Sequence, residues 1–141
     1  MKTILIVEDD KFMADIYQEA LESDGFQVDL CSNGSSAIQR LKESPPHLLL
    51  LDILLPGAGG SEVLSFVRAQ ESTRTLPVIV LSNASAYAAD LVREIQMQGA
   101  NACLTKAECT PARLLQEVRS ALASASSSPD DEDPSQRQVN I

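Results

Sequence analysis

Leu48-Leu49-Leu50-Leu51-Asp52 decides the fold. Four consecutive apolar residues leave no polar face, so the run reads as a strand covered on both sides, inside a parallel sheet. It ends in a carboxylate where the strand leaves the sheet, the edge at which open α/β sheets bind ligands. A second run, Ile4-Leu5-Ile6-Val7, also ends in acids: Glu8, Asp9 and Asp10. Two neighbouring strands that bring carboxylates to one edge would make a site for a hard cation. Magnesium suits such a site best when phosphate oxygens complete its shell.

Outward from these runs, apolar strands alternate with helical patterns. A helix is expected from about Lys11 to Ser23, with Phe12, Ile16, Ala20 and Leu21 on its inner face and Asp24-Gly25 as its stop. Asp10 fits the cap of that helix. A second strand, Gln27–Cys31, precedes a helix at Ser35–Glu43 with Ala37, Ile38 and Leu41 inward. Pro45-Pro46 breaks the chain before Leu48, and lone His47 reads as exposed and inert. The loop Pro56-Gly57-Ala58-Gly59-Gly60 leads into a helix at Ser61–Gln70. Strand Val78–Leu81, helix Ala86–Gln98, strand Ala102–Thr105 and a helix from Thr110-Pro111 to about Ala123 follow. Five such βα units predict a doubly wound α/β fold: a five-stranded parallel sheet with helices on both faces and right-handed crossovers.

The 141 residues suffice for one domain, expected over 1–123, plus a tail. From Ser124 the sequence turns to SASSSPDDEDPSQRQVNI, rich in Ser, Pro and acid, and residues 124–141 are expected to be disordered. The formal net charge of −9 argues against nucleic acid and against anionic membrane as partners. The apolar run after Lys2 is too short for a signal peptide and no stretch approaches a membrane span, so the expected compartment is the cytoplasm. Cys31, Cys103 and Cys109 form no CxxC pair and read as free thiols.

The chemistry gathers at the carboxyl ends of the strands: Glu8, Asp9 and Asp10 from the first, Asp52 from the third, Ser82 and Asn83 from the fourth, Thr105 and Lys106 from the fifth. Acids for a cation, a central carboxylate, a hydroxyl and an ammonium are the parts that phosphoryl transfer uses. A carboxylate can itself be the nucleophile, giving an acyl phosphate.

Four stretches, ILIVEDD, LLLLDILLPGAGG, LPVIVLSNAS and GANACLTK, occur in this order and each reaches a strand end. Together they resemble the receiver domain of two-component response regulators, from about Lys2 to Ala123. The resemblance implies a flavodoxin-like strand order 2-1-3-4-5. It implies Asp52 as phosphoacceptor, Lys106 as the phosphate-binding lysine and Ser82 as the switch hydroxyl. It also implies Mg2+ held by Glu8, Asp9, Asp52 and the backbone carbonyl of Leu54. The sequence departs from the family at four places. Ala107 stands where proline usually follows the lysine, and Cys103 where an aromatic usually sits. Asn83 takes a position usually small, and Gly59 one commonly acidic, which should loosen the GAGG loop. Without that aromatic, the family's usual coupling between hydroxyl and inward-swinging ring is not available.

The function expected from this resemblance is a stand-alone signalling module rather than an enzyme. It would take its phosphoryl group from a histidine kinase or a histidine phosphotransfer protein. Its output would go to a protein target through the face of the fourth helix, fifth strand and fifth helix. One alternative is a magnesium-dependent hydrolase working through an aspartyl phosphate, but that class places a second acid where Leu54 stands. The other is a receiver-like binding module that works without phosphorylation. In the family, the residues two beyond the acceptor and two beyond the switch hydroxyl flank the path of the water that removes the phosphate. Here they are Leu54 and Ala84, neither able to hold a water, which predicts slow self-dephosphorylation.

Overall fold

A computed structural model describes residues 1–55, 59–82 and 86–126, with the side chains of 86–89, 91, 92 and 126 left aside. The elements are β1 (Thr3–Val7), α1 (Lys11–Ser23), β2 (Gln27–Cys31), α2 (Gly34–Glu43), β3 (Leu48–Asp52), α3 (Gly60–Ala69), a 3-10 turn (Glu71–Thr73), β4 (Val78–Ser82), α4 (Ala86–Met97), β5 (Ala102–Thr105) and α5 (Pro111–Ser126). All five strands are parallel, in the order β2-β1-β3-β4-β5. That is the flavodoxin-like arrangement.

The period of two along each strand divides the core. Leu48 and Leu50 join Ile4, Ile6, Ile79, Leu81 and Leu104 under Tyr17 and Leu21 of α1 and Leu114 and Val118 of α5. Leu49 and Leu51 join Leu5, Val7, Val78 and Val80 under Ala37 and Leu41 of α2, Val63, Leu64 and Val67 of α3, and Ile95 of α4. Every residue of β3 and β4 is buried. Each leucine withdrawn from water contributes about 1.5–3 kcal/mol, so the central strands anchor the fold.

Helix starts follow from their caps. The Asp10 carboxylate accepts from Phe12 N and Met13 N, and the Asn33 side chain accepts from Ser36 N. The inner face of α1 differs from the expected one. Ala14, Tyr17 and Leu21 are buried, whereas Phe12 is 72% exposed. At about 100° per residue, Phe12 lies roughly half a turn away from Leu21, so both cannot face the sheet. His47 is exposed but not inert: its Nδ1 accepts from the first strand's Thr3 N at 2.9 Å. Helix α5 continues to Ser126, three residues past 123. Its Ala-Ser sequence contains no breaker before Pro129. Residues 127–141 lie outside the described residues, as do Pro56-Gly57-Ala58, Asn83 and Ala84. Among the described residues, no helix is long and apolar enough to cross a membrane.

Candidate functional site

Strand periodicity assembles the site. Glu8 continues the alternation of Ile4 and Ile6, Asp52 that of Leu48 and Leu50, and Lys106 that of Ala102 and Leu104. All three therefore emerge on the α1–α5 side of the sheet. The register Val7↔Leu51 then carries the chain on so that Glu8 rises beside Asp52. Lys106 is held over the neighbouring strand end by its backbone N–H, which donates to Ser82 O at 2.8 Å.

The Lys106 ammonium bridges the two acids. Its Nζ is 3.0 Å from Asp52 Oδ2, 3.1 Å from Glu8 Oε2 and 2.8 Å from Glu8 Oε1. The other acceptor oxygen of Asp52, Oδ1, takes the Leu54 backbone N–H at 3.1 Å. Glu8 and Asp52 are buried, Asp9 is exposed, and Leu54 is 44% exposed. Burial, helped by a hydrogen bond to Asp52, pushes the Glu8 carboxyl up to about 7, although Lys106 pulls the other way. Burial opposes the Lys106 ammonium, but its bonds to Glu8 and Asp52 outweigh that, and its pKa is raised.

These residues fit a magnesium ion. One carboxylate oxygen each from Glu8, Asp9 and Asp52 lie within 4.8 Å of one another. Glu8 Oε1, although close to Lys106, receives no properly directed hydrogen bond from any described residue. A buried carboxylate oxygen with an unfilled lone pair is suited to a cation. The oxygen-only donor set is that of a hard metal. Asp10, spent on capping α1, contributes nothing to this cluster.

Ser82 is 2% exposed at the end of β4. By alternation with Val78 and Val80 it belongs to the opposite side of the sheet from Asp52, so its hydroxyl can reach that site only around the strand end. Cys103 and Thr105 of β5 share that opposite side. The Lys106–Ala107 peptide is trans.

Two residues escape a reading of motifs. Gly60 starts α3 so close to the acceptor strand that a Cβ there would meet Ile53 Cα at 2.7 Å and Asp52 O at 2.8 Å. Gly59, its neighbour in the same run, has nothing within 4 Å of such a Cβ. Arg68 of α3 donates to Gly99 O at 2.7 Å, Leu76 O at 2.8 Å, Arg74 O at 3.1 Å and Asn101 Oδ1 at 3.3 Å. Its burial lowers its pKa. Glycine-specific contact could be suspected from the doubled Gly59-Gly60, but an arginine that binds carbonyls leaves no sequence pattern.

Residues 4–119 match the response regulator receiver domain family. The chain is 31% identical over 124 residues to the polar-differentiation response regulator DivK of Brucella anthropi, covering 88% of this chain and 98% of that protein. It is 35% identical over 122 residues to the phosphate regulon transcriptional regulatory protein PhoB of Rhizobium meliloti; the match spans 86% of this chain but only 52% of that one. Among solved structures it is similar to the receiver domain of a sensor histidine kinase from Pseudomonas aeruginosa (TM-score 0.77, 28% identity, 86% of this chain and 98% of that one), which has a magnesium ion coordinated in its active-site cleft.

Proposed function

The chain belongs to the response regulator receiver domain family, and on that premise we propose that it is a phosphoacceptor signalling module whose acceptor is Asp52. The observation that carries the proposal is the Lys106 ammonium lying against both Asp52 and Glu8 at the strand ends.

In the proposed reaction a phosphohistidine of a kinase or phosphotransfer protein approaches Asp52. A carboxylate oxygen of Asp52 forms a bond to phosphorus as the P–N bond breaks. The imidazole leaves neutral, because its other ring nitrogen carries a proton. The Leu54 N–H and the Lys106 ammonium orient the Asp52 carboxylate before attack. Lys106 then holds one phosphoryl oxygen, and Ser82 a second from the β4 end. Glu8, Asp9, Asp52 and the Leu54 carbonyl are the residues that would hold magnesium, which supplies neutralisation of charge on the phosphoryl oxygens. Leu54, where a hydrolase of this type would need a second acid, cannot activate a water.

The output is proposed to pass through the face formed by α4, β5 and α5 to a protein target, in the cytoplasm. The folded unit is proposed to end with α5, followed by a solvated tail.

Exposure to acetyl phosphate and magnesium, followed by intact mass, tests the acceptor. One added phosphoryl group is expected on the wild type and none on Asp52→Asn. Equal labelling of the two proteins would remove Asp52 from the role.

A further inference from the structure

Tyr17 is 1% exposed, and among the described residues nothing hydrogen-bonds to its shielded hydroxyl. Glu8 Oε1 is shielded and unsatisfied in the same way. A buried polar group without a partner is costly, and in a folded protein it calls for an explanation. Two such groups on one side of one sheet call for a shared one.

Helix geometry brings the two together. Helix α1 starts at Lys11, three residues after Glu8, so its N-terminus lies at the carboxyl edge of the sheet. Long side chains on a helix lean back toward its N-terminus. Tyr17 shares its core with Ile6 of β1 and with Cys109, on the side of the sheet to which Glu8 belongs. Its ring therefore rises from the core toward the acids. Burial raises the pKa of the phenol most, and Cys109, Glu8, Asp52 and Asp10 raise it further, in that order. The hydroxyl thus lies in the field of Glu8 and Asp52, and no step of phosphoryl transfer uses it.

A single water satisfies both groups, since it can accept from a phenol and donate to a carboxylate oxygen. Buried waters occupy such places, joining polar groups that otherwise have no partner. We propose that Tyr17 is a positioning residue for Glu8: its hydroxyl donates to one buried water, and that water donates to Glu8 Oε1. The proposal rests on the reading of Glu8 as a magnesium ligand. A carboxylate oxygen has two lone pairs, so the water leaves one for the cation. Lys106 holds Glu8 from the strand-end side, and the water holds it from the core. Glu8 then keeps a partner when Lys106 turns to a phosphoryl oxygen. A carboxylate fixed in this way needs no rearrangement to receive a cation.

Tyr17→Phe keeps the ring and removes the hydroxyl. In chelator its urea midpoint should fall, because the water loses a partner. A hydroxyl with no partner would give the opposite sign, since its removal relieves an unsatisfied group. In a Glu8→Ala background the same substitution should no longer lower the midpoint, the bridge being already gone. Calorimetric titration should show magnesium bound about fivefold more weakly by Tyr17→Phe than by wild type, the factor that one net hydrogen bond carries. A midpoint that stays or rises in Tyr17→Phe, or that falls equally with and without Glu8, would overturn the bridge. Unchanged magnesium affinity would do the same. A wild type that binds no magnesium would instead overturn the reading of Glu8 as a ligand.

Discussion

Glu8 and Lys106 are 98 residues apart in sequence, yet the Lys106 ammonium lies 2.8 Å from Glu8 Oε1. The pair shares its site with Asp52, and the cluster is one positive charge short of neutral even before Asp9 is counted. Part of that deficit is met by a proton on Glu8, whose carboxyl is pushed up to about 7.

A pH dependence follows. The folded pKa of Glu8 is above its unfolded value of 4.5, so the stability from its proton is fully present below pH 4.5 and is lost as pH rises to about 7. The loss should approach about 3 kcal/mol at most, at 1.36 kcal/mol per unit. Urea unfolding in chelator at pH 5, 6, 7 and 8 should show stability falling across this range, and Glu8→Gln should flatten the slope. Magnesium must displace the same proton, so its affinity measured calorimetrically should fall below pH 7, with proton release on binding visible in buffers of different ionisation enthalpy.

Gly60 and Gly59 should respond oppositely to substitution. A Cβ at Gly60 would press on backbone atoms of Asp52 and Ile53, which cannot rotate away. Gly60→Ala should cost about 1–3 kcal/mol in chemical denaturation, the usual range for overpacking. Gly59 is the N-cap of α3 and makes no side-chain cap bond. Gly59→Ser should add a few tenths of a kcal/mol. Loss at both positions would mean that the loop, rather than the contact at Gly60, controls stability.

Asp9 is exposed and adds a carboxylate to an already acidic cluster. Asp9→Ala should raise the melting temperature in chelator by up to a few degrees, because one repulsive charge is gone. The same variant should lose measurable magnesium binding. A fall in melting temperature in chelator would assign Asp9 a structural part.

The acyl phosphate should be long-lived. Leu54 is 44% exposed beside Asp52 and offers no hydrogen bond from its side chain to a water. Leu54→Asn should speed loss of the phosphoryl group from purified protein by roughly an order of magnitude, by orienting the attacking water. Decay within seconds in the wild type, slowed by Asn83→Ala, would instead give that job to Asn83, which lies outside the described residues.

The boundary of the folded unit is open to a direct test. Ending the chain after Ser126 should leave the melting temperature unchanged within error, because the Ser-, Pro- and acid-rich remainder cannot repay its ordering entropy. A clear drop would show that residues beyond α5 pack on the domain.

The strands were legible because Leu48–Leu51 and Ile4–Val7 are unbroken apolar runs, a pattern that only a strand buried on both faces requires. The nearness of Glu8, Asp52 and Lys106 was legible because each stands at the carboxyl end of a strand and the order of the strands fixes the edge they share. The inner face of α1 was misread at Phe12: apolar character alone does not give the angle at which a helix meets the sheet. The hydrogen bonds of His47 and Arg68 were invisible for a different reason. Their parts depend on which backbone atom lies within 3 Å or so, and hydrogen-bond partners distant in sequence leave no period to detect.

Arg68 has a mechanical meaning. Its guanidinium ties α3 to the turn after α4, at Gly99 and Asn101, and to the loop entering β4, at Arg74 and Leu76. Asn101 Oδ1 in turn accepts from Val78 N at 2.8 Å, so the tie reaches the first residue of β4. The end of α4 that leads into Gly99 is therefore tied to α3 and to the entry of β4. Any shift of α3 must carry the entry of β4 and the approach to β5 with it, because one side chain holds all three.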